Sequence, residues 1–102
     1  MNQLTDIRSI FGLENKTERV GEVADLLRAM ASESRLKILC LLSEGELSVT
    51  SLSEQTDQTA SSVSQHLTKL RAVGLVDSRR DAQTIYYRAR EGIGTELMDV
   101  LC

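Results

Sequence analysis

The chain of 102 residues lacks proline and tryptophan, and its only aromatic residues are Phe11, Tyr86 and Tyr87. Its core must therefore be built from leucine, valine, isoleucine and alanine, a composition that favours helices. The longest unbroken apolar run is the five residues 38–42, whereas a membrane-spanning helix needs about 20. The sequence thus predicts one small domain over residues 1–102 and no transmembrane helix.

Cysteine is also scarce, because only Cys40 and Cys102 are present, 62 positions apart. They are too few for a disulfide-framed secreted scaffold and too far apart for a Cys-x-x-Cys metal site. If they pair, we expect a disulfide that forms under some conditions and not under others. Residues 1–16 have no apolar block typical of a secretory signal, so we expect a cytoplasmic protein.

The charge is distributed unevenly along the chain. The net charge is −3, yet residues 59–90 hold six basic and only two acidic side chains. The basic residues of this segment are Lys69, Arg71, Arg79, Arg80, Arg88 and Arg90. Because a polyanion responds to the local face of a protein, this segment is a candidate for phosphate contacts. The alternative is an ordinary solvated surface.

Four helices are predicted before Gly74. The first covers about residues 17–31, with apolar residues at helical spacing: Val20, Val23, Ala24, Leu27 and Met30. The next three each follow a hydroxyl side chain that can cap a helix, namely Ser32, Ser48 and Thr59. The second is apolar on most sides, which predicts that it is buried, and Gly45 ends it. The third ends near Thr56. In the fourth, Val63, Leu67 and Leu70 lie on one face, which we expect to pack against the core.

After Gly74 the pattern changes to that of strands. Residues 75–80 and 84–88 predict a hairpin with a turn at Asp81–Ala82 and a basic tip. A terminal helix follows, with one apolar face made of Ile93, Leu97, Val100 and Leu101. The predicted fold is mainly α with a β-hairpin (α+β), in the order helix, helix, helix, helix, hairpin, helix.

The outward face of the fourth helix is polar and built from small side chains, which allows close approach to DNA. Gln and His can hydrogen-bond base edges, and Ser, Thr and Lys can contact phosphates or bases. A helix-turn-helix followed by a basic hairpin is a winged helix, whose hairpin contacts the adjacent backbone or minor groove. The candidate DNA-binding residues are Thr59, Ser61, Ser62, Ser64, Gln65, His66, Lys69, Arg71, Arg79, Arg80 and Gln83.

Four segments of the chain, residues 34–39, 45–49, 61–71 and 74–87, resemble the ArsR/SmtB family of bacterial winged-helix repressors. The resemblance covers residues 18–102. It implies a homodimer built on the first and last helices, with each fourth helix in one half-site of an imperfect palindromic operator. It also implies a bacterial, nucleoid-associated protein that represses transcription.

The resemblance does not extend to the metal sites of the family. Its members usually bind metal through a Cys-x-Cys pair at the start of the third helix, where this chain has Ser48, Val49 and Thr50. Other members use histidine and carboxylate ligands on the last helix, which here offers only Glu96 and Asp99. We therefore expect no metal and no cofactor.

The positions of Cys40 and Cys102 resemble those in the thiol-sensing branch of the same family. The resemblance implies that the two cysteines approach each other within one subunit, and that peroxide or persulfide converts them to a disulfide or polysulfide that releases DNA. Lys37, one turn before Cys40, favours the Cys40 thiolate, whereas the C-terminal carboxylate disfavours that of Cys102. This favours Cys40 as the attacking thiol.

Three alternatives stay open from the sequence. Both cysteines can be structural, in a winged-helix regulator with another inducer or none. Cys40 with His66 as a base would make a thiol enzyme, but no residue is evidently placed to orient the imidazole, so we expect no enzyme. A winged helix can also serve as a protein-interaction module.

The N-terminal segment allows two interpretations. Its apolar residues Ile7, Ile10 and Phe11 fit either an extra helical turn that docks on the dimer or a frayed arm.

Overall fold

A computed structural model of the chain describes residues 17–102, so the predicted turn at Ile7, Ile10 and Phe11 lies outside the described residues. The five helices of the described part are α1 (Val20–Met30), α2 (Glu33–Ser43), α3 (Val49–Thr56), α4 (Ala60–Ala72) and α5 (Ile93–Leu101). Its three strands are β1 (Leu47–Ser48), β2 (Val76–Asp81) and β3 (Thr84–Ala89).

Three of the helices start at the hydroxyl caps predicted from the sequence. The Ser32, Ser48 and Thr59 side chains accept hydrogen bonds from the backbone N–H groups of Arg35, Ser51 and Ser62. Each such cap typically stabilises a helix by about 1 kcal/mol. These local signals fix where α2, α3 and α4 begin.

The strands form one antiparallel sheet in the order β1-β3-β2. Leu47 pairs with Tyr87 at one edge, and Asp81 pairs with Thr84 at the end of the hairpin. Because Asp81 is paired, the turn consists of Ala82 and Gln83, one residue later than predicted, with Ala82 at φ 56°. β2 also starts one residue later than predicted, since the Leu75 N–H donates to the Leu70 carbonyl and closes the end of α4.

The core forms where α2, α3 and α4 meet the sheet. The predicted stripe of Val63, Leu67 and Leu70 is fully buried. Ile38 and Leu39 of α2 are buried as well, which confirms that α2 runs through the interior. The other buried apolar residues are Leu26, Met30, Leu42, Leu52, Leu75, Val76 and Met98.

The predicted apolar stripes of the first and last helices are only partly buried in the subunit. In α1 the chain buries Met30 of the predicted stripe and Leu26 outside it, whereas Val20 and Leu27 of the stripe are 53% and 49% exposed. In α5 it buries Met98, whereas Val100 and Leu101 are 53% and 61% exposed. Since Leu97 of the α5 stripe also packs against the core, only part of each predicted apolar stripe lies on the outside of the subunit. We use the name outer apolar face for the exposed apolar residues of these two helices taken together, which are Val20, Leu27, Val100 and Leu101.

Candidate nucleic-acid interface and cysteine pair

The turn between α3 and α4 sets the angle of a helix-turn-helix. Asp57 ends α3 in the left-handed conformation, at φ 54°. The Ser53 side chain donates to the Gln58 carbonyl across this turn, and the Gln58 N–H donates back to the Ser53 carbonyl at 3.1 Å. With α4 held by its buried stripe, the opposite side of α4 faces outward.

The outward side of α4 carries most of the predicted contact residues. Ser61, Ser64, Gln65 and Lys69 are exposed, as are Thr59 at the start of the helix and Arg71 in its last turn. Ser62 is half-buried, and its hydroxyl group lies 3.3 Å from Oε1 of Gln58. The exposed set combines short hydroxyl side chains, one amide and two cations, a combination that suits contacts with base edges and phosphates.

His66 lies differently from its neighbours on α4. It is half-buried, and its Nδ1 atom finds no hydrogen-bond partner among the described residues. Burial, together with the positive charges of Arg35 and Lys69, lowers the pKa of the imidazole from its ordinary value. His66 is therefore favoured in its neutral form, and it sits at the edge of the predicted contact surface.

The hairpin of β2 and β3, here called the wing, holds Arg79 and Arg80 in different surroundings. The guanidinium of Arg79 lies over the Tyr86 ring, 4.8 Å from its centroid, and its Nη2 atom lies 2.7 Å from Oε1 of Glu46. The hydrogen bond from Arg79 lowers the pKa of the Glu46 carboxyl. Arg80 and Gln83 are exposed near the tip. Sequence reasoning missed Glu46, because the pairing spans 33 positions.

The two cysteines, which are 62 positions apart in the sequence, are bonded to each other in the structure. Cys40 of α2 and Cys102, which follows α5, form a disulfide with their Cα atoms 5.9 Å apart. The Cys102 sulfur lies 3.7 Å from the sulfur of Met98, which is buried beneath it. The bond thus ties the end of α5, next to the exposed Val100 and Leu101, to the central helix α2.

Residues 17–102 hold no group of three or more His, Cys, Asp or Glu side chains that could bind a metal ion. No helix in this described part is long and apolar enough to cross a membrane.

The chain is similar to known regulators along most of its length. Residues 32–78 match the family model described as bacterial regulatory protein, arsR family. The transcriptional activator HlyU of Vibrio cholerae is 45% identical over 75 residues, which cover 74% of this chain and 69% of that protein. The biofilm growth-associated repressor of Agrobacterium fabrum is 40% identical over 84 residues, 82% of this chain and 72% of that one.

Solved structures of similar sequence share the fold of this chain. Reduced HlyU from Vibrio cholerae superposes with a TM-score of 0.76 at 42% identity, covering 79% of this chain and 85% of that one. A homodimeric winged helix-turn-helix domain from Mycobacterium bovis gives a TM-score of 0.76 at 29% identity, covering 86% and 85%. The predicted winged-helix fold is confirmed. HlyU and the Agrobacterium fabrum repressor are transcriptional regulators and not enzymes, as predicted for this chain.

Proposed function

Because the chain belongs to the arsR family of bacterial regulatory proteins, we propose that it is a redox-responsive transcriptional repressor. The reduced homodimer binds an imperfect palindromic operator in the bacterial cytoplasm, and oxidation of Cys40 and Cys102 releases it. The repressor of Agrobacterium fabrum supports repression over activation, although HlyU is an activator. The observation that carries the proposal is the pairing of Cys40 with Cys102 across 62 positions.

The DNA contacts follow from the exposed side of α4 and from the wing. α4 enters the major groove, where Gln65 and Ser61 approach base edges and Lys69 approaches a phosphate. Arg80 and Gln83 at the wing contact the neighbouring backbone or minor groove. Arg79 contributes less direct contact, because Glu46 already neutralises its charge.

The homodimer buries the outer apolar face. Its four residues belong to the first and last helices of the described chain and are about half or more exposed in the single subunit. Exposed apolar residues on two helices mark a surface that gains from association. A two-fold axis through this surface places the two α4 helices in successive half-sites.

The disulfide couples thiol state to the geometry of the dimer. Oxidation removes two electrons and two protons from the thiols and joins α2 to the end of α5. Since α5 carries part of the outer apolar face, this link biases how the two subunits meet and how far apart their α4 helices lie. Release of the operator is then a shift between two dimer states.

A binding titration tests the proposal. A labelled duplex from the region upstream of the protein's own gene is titrated by fluorescence anisotropy with fully reduced protein, and again after stoichiometric oxidant. We expect tight, salt-dependent binding by the reduced form and at least about tenfold weaker binding after oxidation, reversed by reductant. Binding of equal strength in both states would leave a winged-helix regulator with structural cysteines.

A further inference from the structure

A groove of about 700 Å³ opens beside Cys40. It lies between α2, along residues 33–41, and the last turn of α3, and its surface is mainly apolar. Among its lining residues are Ala31, Leu36, Lys37, Cys40, Leu41 and Gln55. None of its lining residues belongs to α4 or to the candidate DNA-binding residues, so the DNA contacts do not account for it.

We propose that this groove binds a small organic hydroperoxide and delivers it to Cys40. The proposal rests on the thiol switch proposed above and names the class of oxidant that the switch recognises. Three features support it: the volume of the groove, its charge and the position of the two cysteines.

The volume suits an organic molecule and not a bare inorganic oxidant. Hydrogen peroxide is only slightly larger than water, which occupies about 30 Å³ in the liquid, so it needs no groove of this size. Sites for small organic ligands commonly span about 300–1,000 Å³ and are lined mostly by apolar side chains. Leu36 and Leu41 supply such a lining next to the sulfur-bearing residue.

The charge at the rim suits a neutral oxidant. The Nζ atom of Lys37 lies 3.5 Å from Oε1 of Glu33, and both residues border the groove. Glu33 offsets the charge of Lys37, the basic residue of the groove lining, so the lining offers little to attract an anion such as a persulfide. The same contact weakens the effect on the Cys40 thiolate that the sequence predicts for Lys37. An organic hydroperoxide is uncharged at neutral pH and brings an apolar group that the leucines can cover.

The two cysteines take different parts in the reaction. Cys40 borders the groove, whereas Cys102 is not among its lining residues. The Cys40 thiolate attacks the terminal oxygen of the hydroperoxide, the O–O bond breaks, and the alcohol leaves with a proton. This gives a sulfenic acid at Cys40. The Cys102 thiol then displaces its oxygen as water and forms the disulfide, so two thiols and one hydroperoxide give one disulfide, one alcohol and one water.

The test compares two oxidants on the full, reduced chain. Disulfide formation is followed by quenched mass spectrometry with cumene hydroperoxide and with hydrogen peroxide. We expect the rate constant for cumene hydroperoxide to be at least about tenfold higher, since binding in the groove positions it against Cys40. Gln55→Trp, at an exposed position that borders the groove, should abolish this preference.

Two controls and one binding measurement complete the test. Glu54→Trp places the same bulk at an exposed neighbour outside the groove lining and should keep the preference. Both variants should react with hydrogen peroxide as the parent does, which shows that they are folded. As a readout without oxidation, the product alcohol 2-phenyl-2-propanol should shift the NMR signals of Leu36 and Leu41 in Cys40→Ser.

The outcomes separate this inference from the thiol switch. Equal rates for the two oxidants, with no shifts from the alcohol, would overturn the groove proposal while the disulfide still releases the operator. If neither oxidant forms the disulfide, the thiol switch fails and the groove proposal fails with it. A tenfold preference that survives Gln55→Trp would place recognition outside the groove and would also overturn the proposal.

Discussion

The carboxylate of Glu46 accepts hydrogen bonds from both Nε and Nη2 of Arg79, at 2.7–3.0 Å. This contact joins Glu46, the residue before β1, to strand β2 of the wing. It holds the Arg79 charge against a partner of opposite sign and against the Tyr86 ring. Arg79 and Arg80 are adjacent in sequence, but they are unequal candidates for contact with DNA.

The two arginines therefore provide a matched pair of substitutions. Arg80→Ala should weaken operator binding and reduce the slope of log K against log salt by about one, because one phosphate contact is lost. Arg79→Ala should leave that slope nearly unchanged. Anisotropy titrations at several salt concentrations measure both. A loss of slope in Arg79→Ala equal to that in Arg80→Ala would show that Glu46 yields Arg79 to the DNA.

Substitutions on α4 should separate base recognition from phosphate contact. Gln65→Ala should cost about 1–3 kcal/mol on the operator and much less on unrelated duplexes, because a base-edge hydrogen bond is lost. Lys69→Ala should weaken binding to both duplexes alike. Competition titrations with operator and unrelated duplexes measure this difference. Equal losses for Gln65→Ala on both would remove Gln65 from base recognition.

The outer apolar face should control dimerisation. Leu27→Glu should raise the dimer dissociation constant at least about tenfold, ~1.4 kcal/mol, because a carboxylate would be buried without a partner. Ile85→Glu is the control, since Ile85 is an exposed apolar residue on the wing hairpin and not on α1 or α5. Sedimentation equilibrium measures both variants. A dimer that withstands Leu27→Glu would place the interface elsewhere.

His66 should make stability depend on pH. Its pKa in the folded chain lies below the ordinary value of 6.5, so the unfolded chain binds more protons between the two values. The contribution of His66 to the free energy of unfolding is therefore fully present above about pH 6.5, and it is lost as the pH drops toward the lowered pKa. Urea unfolding from pH 7.5 to 5 should show this loss, and His66→Gln should reduce it. An unchanged profile in His66→Gln would assign the loss to other groups.

Local patterns in the sequence predicted most of the fold. The caps at Ser32, Ser48 and Thr59 and the stripe along α4 depend on neighbouring residues, and the structure confirms each of them. The apolar spacing in α1 and α5 predicts a stripe on each helix but not the surface that it covers, and only the family resemblance implies a dimer interface there. Helical spacing is the same for a face that meets its own core and for one that meets a second subunit.

The candidate site was less accessible to sequence reasoning. The Glu46–Arg79 contact joins distant parts of the chain, and no local period marks it. The half-buried position of His66 depends on how α4 packs against the rest of the fold, which the polar pattern of α4 does not specify. The Cys40–Cys102 pairing was implied by the family resemblance and not by spacing, and the structure brings these residues together.

The most direct measurement is operator binding by the parent chain, Cys40→Ser and Cys102→Ser, each titrated by anisotropy before and after oxidation. All three reduced proteins should bind alike, because neither cysteine lies on the outward side of α4. After oxidation the parent should release the duplex, whereas both variants should keep it, since neither can form the bond that joins α2 to α5. Release by both variants to the same extent as by the parent would contradict the thiol switch.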